Sequence, residues 1–286
     1  MTEATRTAPV LVTGAIRSGT TWVGETLGRS PALEYVWEPY NRLVRAWPHS
    51  SVPHFYTGPY DAQPLVDDIA TAIVSLHSRG SLVAHPESAA REVLRRIRFA
   101  SARRAGRAAL LKDPLAALLA RHFEDRFGMR IVLCVRHPAG FVASCLRLGW
   151  DYDFENLLAQ PMLMQRLARW RAEMEQTVGR QGPMLDRVAL LWRVIYGSLA
   201  DGDLAPRASY LLHYDEAVAA PTVAFRALFD HLGLDFTPDI EAGALAGADS
   251  SRSDAWRRQL SADEIDRVRL VTRPEAEAWG FDAANW

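Results

Sequence analysis

The stretch "PVLVTGAIRSGTTW" (residues 9–22) constrains the fold more than any other part of the chain. A short apolar run ends at Gly14, a compact turn carries the chain to Gly19, and a helix-like segment follows. Strand, glycine-bounded loop and helix in that order turn backbone N–H groups toward one point at the helix N-terminus, where they attract an anion. The glycine spacing is that of a phosphate loop, with four residues between Gly14 and Gly19. The lysine that an ATP-using loop places after its second glycine is Thr20 here.

The rest of the chain repeats the alternation. Apolar runs at 9–14, 108–112, 130–136 and 209–214 read as buried strands, each short and bounded by polar or turn residues. Helix-like stretches cover 20–29, 67–78, 88–104, 114–127, 138–148, 162–178, 184–200 and 221–232. Pro114, Pro138 and Pro221 stand where a first helical turn tolerates proline. Strands separated by helices predict an α/β fold with a central parallel sheet flanked by helices. With 286 residues, 49% of them hydrophobic, the expectation is one domain spanning 1–286, with residues 1–8 as a flexible tail.

Charge and cysteine usage narrow the function. Lys plus Arg total 33 against 34 Asp plus Glu, a net charge of −1. Such a balance argues against a nucleic-acid or membrane-surface partner. Cys134 and Cys145 keep no zinc-ligand or redox-motif company, which fits a reducing compartment. Residues 1–14 carry no apolar signal core and no 18-residue apolar run occurs, so the chain reads as a soluble cytoplasmic protein.

In a parallel sheet, ligands collect beyond the carboxyl ends of the strands. Here those ends are chemically loaded: "KDP" (Lys112, Asp113, Pro114) follows one strand and "RHP" (Arg136, His137, Pro138) the next. Arg136 stands where an acidic Mg²⁺ ligand would end a strand in an ATP site, and Arg17 supplies a cation from inside the first loop. Ile16 occupies the middle glycine of a dinucleotide-binding pattern, which disfavours that fold. Two turns into the helix after Arg136 lies Ser144, so a guanidinium and a hydroxyl converge as a second anion site without metal.

Together, "IRSGTTW" and "VRHPAGFVAS" resemble the 5′-phosphosulfate loop and the 3′-phosphate motif of sulfotransferases that use 3′-phosphoadenosine 5′-phosphosulfate (PAPS). "LLKDP", residues 214–234 and "SSRSDAWRRQLSADEID" are similar to further family segments, so the likeness spans roughly 10–266. The resemblance implies that Arg17, Ser18, Gly19, Thr20 and Thr21 hold the 5′-phosphosulfate, that Trp22 stacks near the adenine, and that Arg136 and Ser144 hold the 3′-phosphate. Arg252 is a further implied contact, in a loop that departs from the family's usual R-K-G. PAPS would be the donor and PAP the product, with no metal.

Sulfuryl transfer needs positive charge beside the bridging oxygen, for which Arg17 and Lys112 are the candidates, and a general base for an alcohol acceptor. The cytosolic members' histidine position is Pro114 in this chain. Glu38, in "WEPY", resembles the glutamate of carbohydrate and related bacterial sulfotransferases and is the favoured base. Asp113 is the second candidate, as base or as the cap of the following helix, and His137 reads as a packing or capping residue. The aromatic, proline-rich stretch 38–64 is the expected acceptor loop for a small-molecule or carbohydrate-type hydroxyl. Trp170 and Trp192 are expected in the core. A Mg²⁺-dependent small-molecule kinase and a non-catalytic nucleotide-binding protein are the two alternative readings.

Overall fold

The computed structural model describes residues 7–41, 55–61, 63–78, 86–249 and 254–286. Five parallel strands, β1 (Val10–Thr13), β2 (Leu33–Trp37), β3 (Ala108–Lys112), β4 (Arg130–Val135) and β5 (Ser209–His213), make one sheet in the order β2-β3-β1-β4-β5. From β1 the chain goes first to the edge strand β2, returns to place β3 between β2 and β1, then crosses to build β4 and β5 outward on the other side. The carboxyl end of β1 is therefore the switch point of the sheet, where a crevice opens.

Helices cover both faces. On one face Val10, Val12, Leu110, Val132 and Cys134 pack against Val23 and Leu27 of the Thr20–Leu27 helix and Phe225, Leu228 and Phe229 of the Pro221–Leu232 helix. On the other, Leu11, Leu111, Leu133 and Val135 meet Phe141 and Val142 of the Pro138–Arg147 helix and Leu191 and Trp192 of the Met184–Ala200 helix. β1 and β3 are buried along their whole length, as expected of inner strands that read as unbroken apolar runs.

The sheet matches the expected class and adds one strand. β2 lies at an edge, and Glu34 interrupts its apolar pattern. That carboxylate is buried and paired with Arg98 and with Arg107, 3.4 Å away. Two expected helices are broken. Residues 114–127 begin as a fully buried 3₁₀ turn, Pro114–Leu119, before the Ala120–Phe127 helix. The stretch expected at 162–178 is instead Pro161–Arg166, Ala168–Trp170 and Arg171–Glu175, and it turns Trp170 inward over Gly197. Trp170 and Trp192 are both buried, as expected. Helices Pro238–Gly247 and Ala262–Ala278 complete the C-terminal part. No helix among the described residues is long and apolar enough to cross a membrane.

Gly14 joins this scaffold to the loop that follows β1. Its φ is 143°, and a Cβ placed there would lie 2.2 Å from the Cys134 carbonyl oxygen of β4. Neither the backbone conformation nor the space admits a side chain. Gly14→Ala is expected to lower unfolding free energy by on the order of 3 kcal/mol, read as a lower midpoint in urea denaturation.

Candidate active site

The loop from Gly14 to Thr20 is shaped by hydroxyl groups from distant helices and loops. Tyr196, on the Met184–Ala200 helix, donates to the Cys134 carbonyl at 2.7 Å and accepts from the Ala15 N–H at 3.2 Å. With its own proton on Cys134, its oxygen also receives the Ser18 hydroxyl at 2.7 Å. Tyr56 accepts the Ile16 N–H at 3.1 Å. Ser18 thus turns its hydroxyl into the protein, and what it offers a ligand is backbone. Arg17 (φ 62°) and Gly19 (φ 89°) take left-handed backbone to complete the turn, and Gly19 is the N-cap of the Thr20–Leu27 helix. A Cβ on Gly19 would strike the Tyr214 ring at 2.4 Å.

The second motif meets the first. Arg17 Nε donates to Ser144 Oγ at 3.3 Å, and Arg136 Nη1 donates to the Arg17 carbonyl at 3.1 Å. Arg136 is 6% exposed, lies 4.7 Å from the Tyr214 ring centroid, and is bordered by Gly140, where a Cβ would come within 3.1 Å of its Nε. Burial pushes the Arg136 pKa down from its ordinary value, with Tyr214 and Asp215 pushing the other way. Trp192 Nε1 donates to the Arg136 carbonyl at 3.0 Å. The residues expected at two separate anion sites therefore form one continuous surface.

His137 does what a strand-end packing residue does. Its Nδ1 accepts the Ala139 N–H, and its ring stacks on Trp256 at 4.7 Å and 5°. Burial, then Arg257 and Arg136, push its pKa down to about 3, so the ring is neutral at ordinary pH.

At the ends of β2 and β3 stand Glu38, Lys112 and Asp113. Lys112 is 1% exposed, and its ammonium is paired with Glu38 Oε1. Glu38 is anchored twice more: its N–H donates to the Lys112 carbonyl at 2.8 Å, and Asn41 Nδ2 donates to Oε2 at 2.7 Å. Its φ of 40° is a left-handed conformation that costs a non-glycine residue free energy and persists at sites where geometry matters. Trp37, paired in register with Lys112, leaves its indole half exposed beside the ammonium, 6.0 Å from it.

Asp113 faces the other way. Its Oδ1 accepts from the Leu115 N–H at 2.9 Å, capping the 3₁₀ turn, and its Oδ2 accepts from the Tyr40 N–H at 2.7 Å. Complete burial pushes its pKa up to about 7, against the pull of the Tyr40 N–H. Of its two expected roles, the geometry is that of the cap.

A cavity of about 560 Å³ opens between the motifs, lined by Arg17, Gly19, Thr20, Thr21, Trp22, Arg136, Ser144 and, from later elements, Arg147, Tyr214, Trp256 and Gln259. Trp22 stands at its edge, with Nε1 donating to the Ala244 carbonyl at 3.0 Å and its ring edge-on to Phe225. A family model described as the sulfotransferase family matches residues 9–238. The chain belongs to the sulfotransferase family.

Among solved structures, the sulfotransferase domain of the olefin synthase from Synechococcus PCC 7002 aligns with a TM-score of 0.53 at 18% identity, covering 96% of each chain. The sulfotransferase domain from the curacin biosynthetic pathway aligns with a TM-score of 0.56 at 14% identity, covering 97% of this chain and 99% of that one. At these identities the likeness is one of fold. No curated protein sequence matches this sulfotransferase.

Within the sulfotransferase site, sequence reasoning missed the residues that shape the loops. Tyr196 carries no motif, since a tyrosine in an apolar helix reads as core, and Tyr56 falls in the aromatic stretch 38–64, where nothing local ties it to the Ile16 N–H. Trp256 and Gln259 sit in a segment picked out only by resemblance. Arg252 and residues 42–54 and 62 of the expected acceptor loop lie outside the described residues, as does most of the expected 1–8 tail.

Asp113 gives this site a pH signature. Folded, it holds its proton up to about pH 7, whereas an unfolded aspartate releases it near pH 4. Between those values the folded state binds more protons, so its contribution to stability falls as pH rises through the window. Urea unfolding from pH 4 to 8 is expected to show the native chain losing stability with rising pH relative to Asp113→Asn.

Proposed function

We propose that this sulfotransferase moves the sulfuryl group of PAPS to a hydroxyl of a small-molecule or carbohydrate-type acceptor, with Glu38 as general base. The observation that carries the reading is the Glu38–Lys112 pair. A carboxylate on strained backbone and a buried ammonium stand together at the ends of β2 and β3, with the Lys112 stem against Gly24 of the Thr20–Leu27 helix. A base and a cation side by side are what sulfuryl transfer to an alcohol requires.

The chain's residues fit the donor. The cavity joins a helix N-terminus to two arginines and Ser144, a donor set matched to an anion at each end of one ligand. Backbone N–H groups from Arg17 to Thr21, with the Thr20 and Thr21 hydroxyls, would hold the 5′-phosphosulfate, and Arg136 and Ser144 the 3′-phosphate. Trp22 would stand beside the adenine and Arg252 would add a contact to the nucleotide. When bound, PAPS supplies an activated sulfuryl group and a phosphate leaving group.

Glu38 then takes the acceptor's proton as its oxygen attacks, while Lys112 and Arg17 balance the negative charge that grows on the leaving side. Asp113 keeps the Lys112 turn in place through its two backbone contacts. The half-exposed Trp37 and the segment 38–64 would border the acceptor. The reaction takes place without metal, in the cytoplasm, on a small molecule and with neither nucleic acid nor membrane as partner.

Three measurements test this. Glu38→Gln is expected to keep PAP affinity by calorimetry while kcat falls by about 100-fold or more, the range of a lost general base; full activity would remove Glu38 from that role. Arg136→Ala, checked by melting temperature to be folded, is expected to weaken PAP binding by about 10-fold or more. PAP should bind equally with and without EDTA; tight Mg²⁺-dependent ATP binding with no PAP binding would make the protein a kinase instead.

A further inference from the structure

Tyr35 stands on β2 three residues before Glu38, and its ring runs along the Thr20–Leu27 helix. A Cβ at Gly28 would sit 3.1 Å from Tyr35 Cβ, and one at Gly24 would sit 3.1 Å from Tyr35 Cε2. The ring therefore climbs the helix toward its N-terminal end, where the anion loop lies. Gly24 also makes room for the Lys112 stem, whose Cγ would be 2.7 Å from the same Cβ. Tyrosine and lysine lie side by side on a strip of helix that glycine keeps bare.

The phenolic oxygen is buried and has no hydrogen-bond partner among the described residues. Burial, then the nearby Glu25 and Glu38 carboxylates, push its pKa above the ordinary tyrosine value, so it is a proton donor at any working pH. A buried hydroxyl with no partner is destabilising, and phenylalanine would fill the same groove without that penalty. The hydroxyl is thus suited to a partner that becomes available when the site rearranges.

Glu38 supplies one. In this structure both of its carboxylate oxygens are occupied, Oε2 by Asn41 and Oε1 by the Lys112 ammonium. As Lys112 turns its N–H donors toward the leaving side during transfer, its hold on Oε1 loosens, and the carboxylate loses one of its two side-chain contacts at the moment the base acts. We propose that Tyr35 is a positioning residue for Glu38: its hydroxyl donates to the carboxylate oxygen that Lys112 releases and keeps the carboxylate aimed at the acceptor. Tyr35 retains its proton throughout; the proton that moves is the acceptor's, and it ends on Glu38. The inference rests on Glu38 being the base.

Tyr35→Phe separates this role from a structural one. The expected result is a kcat lower by on the order of 10-fold to 100-fold, as for a misplaced catalytic group, with KM for PAPS and for acceptor within about 2-fold of the native enzyme. Its melting temperature should be equal to or above the native value, because no folded-state hydrogen bond is removed. Native kcat would overturn the inference and leave Glu38 in its role. A changed KM with native kcat would overturn it in favour of substrate binding, and a lowered melting temperature would overturn it by revealing a structural partner. An active Glu38→Gln enzyme would instead remove the reading beneath it and this inference with it.

Discussion

The hydroxyl of Tyr196 is the point on which the site depends. One oxygen fixes the Cys134 carbonyl at the end of β4, the Ala15 N–H at the start of the anion loop and the Ser18 hydroxyl within it. Because Gly14 presses its backbone against the same Cys134 carbonyl, loop and sheet are joined at van der Waals distance on one side and by hydrogen bonds on the other. A buried hydroxyl making three hydrogen bonds in a low-dielectric interior holds its neighbours rigidly. That rigidity positions loop amides that would otherwise splay toward water, and a preorganised loop binds an anion without first having to be ordered.

From that anchor the charges arrange themselves along the carboxyl edge of the sheet. Arg136 leaves β4 beneath the loop and bonds the Arg17 carbonyl, Arg17 reaches Ser144, and on the far side of β1 the Lys112 ammonium meets Glu38. A buried cation thus stands on each side of one glycine loop, Arg136 toward β4 and Lys112, paired with Glu38, toward β3. Asp113 shows the opposite economy: a carboxyl in the middle of this row is spent on backbone N–H groups, and its proton is retained to about pH 7 by burial.

Much of this was legible in the sequence for simple reasons. Inner strands of a parallel sheet are buried on both faces, so β1, β3 and β4 announce themselves as apolar runs, and the polar residue after each run falls at the ligand edge by topology alone. β2 escaped because its register is sustained by a buried Glu34 whose partners, Arg98 and Arg107, are far away in sequence. The Ser261 capping box with Glu264 is a local pattern that marks the start of the Ala262–Ala278 helix. Asp113 could be read as a cap or as a base, because both uses call for a carboxylate just before Pro114, and only the direction of its two oxygens separates them.

The sequence by itself determined the class of sheet, the place of the anion loop and the chemistry of its strand ends, since these follow from local periodicity, glycine spacing and the residue that succeeds each apolar run. Tertiary structure alone decided which of those groups meet. The contacts of Tyr196 with Cys134, Arg17 with Ser144, Lys112 with Glu38, and the Tyr35 ring with Gly24 join residues that no local pattern connects. Each depends on how helices settle against the two faces of the sheet, and that is set by the packing of the whole core.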